Sequence, residues 1–484
     1  MKARLFTTTV LSLLAATAAF AQVGQPFIHD PSTITLCDGK YYTFGTGGGG
    51  LISEDGWSWH SGAVRPGGGA APDVIKLGNR YLVGYSTTGG SIGGSHASSI
   101  MVMLNKTLDP ESPDFGYTEA VEVASSLADE DCNAIDVGFL MAPDGRLWCT
   151  YGTYFGFIRQ VELDPVTGLR KEGNEAIDIA RNMEASVMIY RDGWYYLLGT
   201  HGTCCSGVNS TYNIIVGRSH SPQGPFYDNV GRTLMQGGGK PVITTEGRLV
   251  GPGHFGRYIV EEGVEKMSFH WEADMDQSGR SVLGIRPIIW KDGWPVAGGA
   301  FVPGTYEIES VRSGYALELS VDFTSARGGP RGFGRGAANQ PVVAIEAQKL
   351  GDVLGGWPKV TIPVRNGFYL ARPQQRWSVI PVPEAGGYLG GPYYKILIEG
   401  TSRALAANAD AEVETVPVFT GAPEQLWRID QLTDGTFRIM PKEVPGHPEP
   451  LALVSLGDAS PTLVKFDFQS DNSKWNFRCF QALK

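Results

Sequence analysis

The chain has 484 residues, 65 of them glycine, with 11% aromatic residues and a formal net charge of −10. An acidic chain of this kind has no electrostatic footing on nucleic acid or on an anionic membrane surface. Its length exceeds what one hydrophobic core usually serves, which predicts two domains, and abundant glycine without long helical periodicity predicts an all-β protein of many tight turns.

The first residues read as an export signal. Lys2 and Arg4 precede an apolar run from Leu5 to Phe20, and Ala19-Phe20-Ala21 places small residues around a cleavage point before Gln22. The run is short for a membrane anchor, so 1–21 is expected to be removed, leaving a secreted or periplasmic protein. Loss of the two basic residues takes the net charge to −12. The six cysteines suit an oxidising compartment, and none has the spacing of a zinc site. Cys204-Cys205 could close a vicinal disulfide, pair elsewhere or stay reduced.

From residue 28 onward a unit repeats: an acidic or polar anchor, a short apolar strand, a turn, then an aromatic strand. The anchors are Asp30, Asp73, Asp136, Glu184 and, more weakly, His254, separated by 43, 63, 48 and 70 residues. A period near fifty with several short strands per unit is the signature of propeller blades. Residues 22–300 are therefore expected to form a five-bladed β-propeller. Asp38-Gly39, Asp144-Gly145, Asp192-Gly193 and Asp292-Gly293 mark hairpin turns, where glycine permits a positive φ.

Beyond Pro303 the texture changes. Residues 325–334 form a glycine-rich basic stretch. Gln375-Arg376-Trp377, Gln425-Leu426-Trp427 and Ser473-Lys474-Trp475 then recur at spacings of 50 and 48. Three units that each close on such a strand resemble the ricin-type β-trefoil, so 301–484 is expected to be a trefoil-like domain. Carbohydrate binding is a possible role for it, although in such domains the tryptophan is mostly core.

The innermost strand of each blade lines the central channel, so acids at its end converge. Asp30, Asp136 and Glu184 would meet there from three blades. Two carboxylates across a sugar are the equipment of glycoside hydrolysis, and a third raises the pKa of the acid. A lone acid before a strand more often caps it or pairs with an arginine; three at equivalent positions reverse that expectation.

At these residues the chain resembles glycoside hydrolase family 43, and within it the arabinanases. The matching stretches are Ile28-His29-Asp30-Pro31-Ser32, Asn133-Ala134-Ile135-Asp136, Met183-Glu184-Ala185-Ser186, the run from Cys204 to Ser219, Gly251-Pro252-Gly253-His254 and Asp292-Gly293-Trp294-Pro295. The resemblance implies an inverting hydrolase of α-1,5-arabinofuranosidic linkages in a plant cell-wall polysaccharide. It makes Asp30 the base, Glu184 the acid and Asp136 the residue that raises and orients the acid. Inversion implies Asp30 and Glu184 carboxyls about 6.5–9.5 Å apart.

It also implies that His254 lies beside an ion, often calcium, although a lone histidine is more often a packed or hydrogen-bonded residue. Asn133 is expected at the substrate. Trp59 and Phe155, on segments with Trp57, Tyr154 and Phe157 that flank strand ends, could stack on furanose rings; packing between blades is the commoner use of any one. A same-fold exo-acting arabinofuranosidase, xylosidase or galactanase, and a non-catalytic carbohydrate-binding protein, are the competing readings.

Overall fold

A computed structural model describes residues 22–481 apart from 88–95, 154, 325–342, 347–356 and 458–459. The expected export signal, Tyr154 and the glycine-rich stretch 325–334 lie outside the described residues. Among the described residues no helix is long and apolar enough to cross a membrane.

Five antiparallel sheets follow one another along the chain as the blades of a propeller. Blade I holds Thr35–Cys37, Lys40–Phe44, Gly49–Ser53 and Ser58–Val64, with Val23–Gly24 added in parallel to the last. Blade II runs from Ala70–Leu77 to Val121–Ser126 and blade III from Gly138–Met141 to Ile177–Arg181. Blade IV runs from Glu184–Arg191 to Lys240–Ile243 and blade V from Leu249–Glu261 to Trp294–Ala297. At three of the four Asp-Gly turns both residues are left-handed, as in Asp38 at φ 50° and Gly39 at 81°. Such turns match the right-handed twist of the strands they join.

The entry to each blade repeats a second local feature. Asp30, Ala71, Asp136, Ala185 and His254 all have φ between 45° and 62°, a region that L-residues rarely adopt and that persists where the surroundings over-determine it. What holds them is a closed ring of hydrogen bonds around the channel. The N–H of Ala71 donates to Thr46 Oγ1 of blade I (3.1 Å), and that of Asp136 to Ser86 Oγ of blade II (3.2 Å). The Ala185 N–H donates to Asp136 Oδ2 (3.0 Å), and the His254 N–H to Thr200 Oγ1 of blade IV (2.9 Å). The Asp30 N–H closes the circle on His270 Nδ1 of blade V (3.1 Å). Each blade thus fixes the entry of the next.

In the C-terminal region, six strands pair in a closed ring: Tyr394–Ile398, Trp377–Pro381, Gly304–Ser310, Trp475–Gln481, Phe437–Pro441 and Trp427–Gln431. Trp377, Trp427 and Trp475 are fully buried, each just after a 3-10 turn. Their indole N–H groups donate to the carbonyls of Leu317 (2.9 Å), Leu405 (3.0 Å) and Leu453 (2.8 Å). The equivalent bonds make the threefold repeat a structural fact as well as a pattern of letters.

The two regions are joined by buried contacts. Leu389 enters the apolar cluster of Ile28, Trp59, Tyr258 and Ile285, where blades I and V meet. Beside it, Asp430 accepts from Lys266 (3.1 Å) and Arg438 (3.0 Å), and Glu261 pairs with Arg428 (3.2 Å) and Arg438 (3.0 Å). Both oxygens of the buried Asp430 therefore face cations, the condition under which a buried charge is tolerated.

Candidate active site

The three acids lie within electrostatic reach of one another. Asp30 stands on the loop before blade I, Asp136 on the entry to blade III, and Glu184 at the first position of the innermost strand of blade IV. A β-bulge follows Glu184, where the pairing register shifts before Val187, and bulges of this kind re-aim a side chain. Asp136 and Glu184 are buried, and the Asp30 side chain keeps 19% of its surface exposed. The acid at the start of blade II is a different case. Asp73 is buried and accepts the N–H groups of Thr33 (3.0 Å) and Phe139 (2.9 Å), so it ties blade I to blade III.

The environments of the trio separate their titrations. Burial alone would raise the Asp30 carboxyl, but the imidazoles of His254 and His29 outweigh it and hold it well below the usual carboxylate range. Burial pushes Glu184 up to about 7, against the Tyr212 phenol, which donates to its Oε1; the charges of Asp30 and Glu272 add to the rise. Burial, then the charge of Glu184, lifts Asp136 to about 8. Near neutrality the site therefore holds an ionised carboxylate at Asp30 and a proton in the Asp136–Glu184 pair. Environments that push neighbouring carboxyls apart in this way are how one site carries both an acid and a base.

Further groups that no motif singled out surround Asp30. Its Oδ2 accepts from His29 Nδ1 (2.9 Å) and Thr46 Oγ1 (2.6 Å). His29 Nε2 lies 2.9 Å from Glu272 Oε1, and the His29 ring stacks on His270 with centroids 4.3 Å apart. Burial opposes charge on His29, but the bonds to Asp30 and Glu272 outweigh it and raise its pKa to about 10. Tyr212 and His29 lie inside matched stretches and were visible there as letters. Glu272 and His270 had no such signal, since their strand reads simply as blade core.

Several expectations need correction. Trp59 is 1% exposed in the blade I–V cluster, with its indole N–H on Gln22 Oε1 (3.3 Å), so it packs and does not face the cleft. Trp57 is likewise fully buried. Asn133 is completely buried, and its side-chain amide meets no hydrogen-bond partner among the described residues. Phe155 is half-buried against His96, with ring centroids 4.7 Å apart, and alone of the three expected substrate contacts keeps an open surface.

His254 is buried, with Nδ1 3.6 Å from Asp30 Oδ1. It is not among the donors that cluster most tightly, which are His29, His270 and Glu272, within 4.8 Å of one another. Two imidazoles and one carboxylate, already bonded to each other, do not supply the six to eight oxygens that calcium takes. These residues do not fit a protein-built calcium cage. Cys204 and Cys205 are joined as a vicinal disulfide, while Cys37, Cys132 and Cys149 are buried and free and Cys479 is exposed and free.

The family model for glycosyl hydrolases family 43 matches residues 43–295, more than half of the chain. The chain belongs to this family. It is accordingly a glycoside hydrolase. Among curated members, it is 30% identical over 321 residues to the extracellular exo-α-(1→5)-L-arabinofuranosidase ArbA of Cellvibrio japonicus, covering 59% of this chain and 90% of that enzyme. It is 30% identical over 313 residues to the extracellular endo-α-(1→5)-L-arabinanase 1 of Bacillus subtilis, covering 59% and 92%. Among solved family 43 structures, an exo-1,5-α-L-arabinanase from a bovine ruminal metagenomic library shares 33% identity at a TM-score of 0.52, over 56% of this chain and 97% of that one. The matched range 43–295 lies within the propeller and includes Asp136 and Glu184.

Proposed function

We propose that the protein is a secreted, inverting hydrolase of α-1,5-L-arabinofuranosidic linkages in arabinan or arabino-oligosaccharides. The observation that carries this reading is the division of labour among the acids: Asp30 held ionised by His254 and His29, and a proton kept near neutrality in the buried Asp136–Glu184 pair. Asp30 draws a proton from a water that attacks the anomeric carbon. Glu184 delivers its proton to the departing glycosidic oxygen as that bond breaks. Asp136 Oδ2 accepts the N–H of Ala185, next to Glu184, and so positions the acid through its backbone. The arabinan-directed names of the relatives support the choice of sugar, and the extracellular ones among them support secretion.

The same reading takes residues 301–484 as a β-trefoil. It rests on the closed six-stranded ring and the three equivalent tryptophan bonds. The decisive experiment is the product profile on linear and debranched arabinan, with the Glu184→Gln variant beside the wild type. Release of arabinose or short oligomers by the wild type alone is expected. Equal release by the variant, or none from arabinan alongside turnover of xylan or galactan, overturns the assignment.

A further inference from the structure

Four of the five links in the ring of blade entries end on a hydroxyl or a carboxylate oxygen. Such oxygens keep an accepting lone pair wherever their own proton points. The fifth, from Asp30 N–H to His270 Nδ1, ends on an imidazole nitrogen. Neutral imidazole accepts at one nitrogen only, and which one depends on where the ring proton sits. This link, at the seam where the first and last blades meet, therefore exists only in the tautomer that carries its proton on Nε2.

His270 Nε2 lies 3.1 Å from Glu272 Oε1, and both residues are buried. A carboxylate there can only accept, so it requires the proton on Nε2 and leaves Nδ1 free for Asp30. The same oxygen lies 2.9 Å from His29 Nε2, whose other nitrogen is 2.9 Å from Asp30 Oδ2. The result is a closed cycle of Asp30 N–H, His270, Glu272, His29 and the Asp30 carboxylate. It fixes both the left-handed backbone of Asp30 and the direction of its side chain. Glu272 is in turn held from a third blade: its Oε2 accepts the N–H of Cys205 at 2.9 Å. Cys205 has φ 58° and is joined to Cys204 in the vicinal disulfide.

We propose that Glu272, anchored by the Cys204–Cys205 turn, is the positioning residue that sets Asp30 for attack, so that activity depends on the oxidised state of this disulfide. The inference rests on the reading of Asp30 as the base. A dithiol such as dithiothreitol transfers two electrons and two protons. The Cys204–Cys205 S–S bond breaks, two S–H bonds form, and the reductant closes to its own cyclic disulfide. The freed Cys205 then leaves its left-handed conformation, and the N–H that holds Glu272 is withdrawn.

In Glu272→Gln the side chain has one accepting oxygen and an amide NH2. Turned one way, the NH2 opposes the Cys205 N–H; turned the other, both imidazoles lose their acceptor. Either way a link is lost. A displacement of the base by an ångström costs on the order of 10²-fold in rate. The expected result on arabino-oligosaccharides is a fall of that order in kcat with KM unchanged, because substrate contacts are untouched. Dithiothreitol should lower wild-type kcat, with two further thiols titrated, and should change Glu272→Gln no further, since both act through one contact. The melting temperature is followed in parallel. Where the variant does not fold, the Cys204→Ser/Cys205→Ser pair reports the same link. Wild-type kcat in Glu272→Gln, no effect of reduction on the wild type, or equal effects of reduction on wild type and variant each overturn the proposal. A wild type inert on arabinan would instead overturn the functional reading on which it rests.

Discussion

Replacing Tyr212 by phenylalanine should move the alkaline limb of the activity profile upward. The Tyr212 hydroxyl donates to Glu184 Oε1, and a donor of this kind stabilises the ionised carboxylate. Glu184 acts only while protonated, so activity is present below its pKa of about 7 and is lost as the pH rises through that value. Removing the donor disfavours the ionised form and raises the pKa further. A hydrogen bond to a charged group contributes about 1.5–3 kcal/mol, and one pKa unit corresponds to about 1.36 kcal/mol. The limb should therefore move up by about 1–2 units, from about 7 to about 8–9. The phenylalanine ring keeps the packing against His270, where the two rings lie 6.1 Å apart, so the fold should persist. The assay is kcat/KM on a linear arabino-oligosaccharide across the pH range, with initial rates read by chromatography. A limb that stays in place, or moves down, refutes the argument that the phenol sets the proton affinity of Glu184.

Glu184→Gln and Asp30→Asn should each lower kcat by about 10²–10⁴-fold, the range of a lost general acid or base, with circular dichroism unchanged. Proton NMR of the first product should show the anomeric configuration opposite to that of the substrate; retention would exclude Asp30 as a base acting on water. Trp59→Ala should cost about 3–5 kcal/mol of stability in denaturant titration and leave KM of the folded fraction unchanged, whereas a raised KM would return Trp59 to the cleft. Asp430→Asn leaves Lys266, Arg428 and Arg438 without their shared negative charge, with an amide NH2 in place of one accepting oxygen, and should cost about 3–5 kcal/mol, read by thermal unfolding of the whole chain.

Much of the site was legible because a repeat makes position informative. Asp30, Asp136 and Glu184 could be picked from fifty acidic residues since each stood before an apolar strand at the same place in its unit. Asp73 shows the limit of that argument. It occupies the same pattern, yet the left-handed residue of its blade is Ala71, and its carboxylate serves two backbone amides. Two residues of offset separate a channel acid from a structural one, and spacing alone does not resolve them. The aromatics mislead for a related reason. Trp59 and Phe155 both flank strand ends, but one lies under Leu389, which arrives from more than three hundred residues downstream.

What the chain determines by itself is periodic and local: the strands, the Asp-Gly turns, the blade count, the three tryptophan strands and the acids that open the blades. These follow from side-chain alternation and turn chemistry, which need only neighbours in sequence. The proton assignments are of another kind. Asp30 is ionised because His254 and His29 face it, and the Asp136–Glu184 pair keeps a proton because both groups are buried near other negative charge. The ring of bonds that seats each blade entry, and the His270 tautomer that closes it through Glu272, join residues up to 240 positions apart. Electrostatics and hydrogen bonding depend on distance in space, and only the closing of the five blades brings those groups within reach.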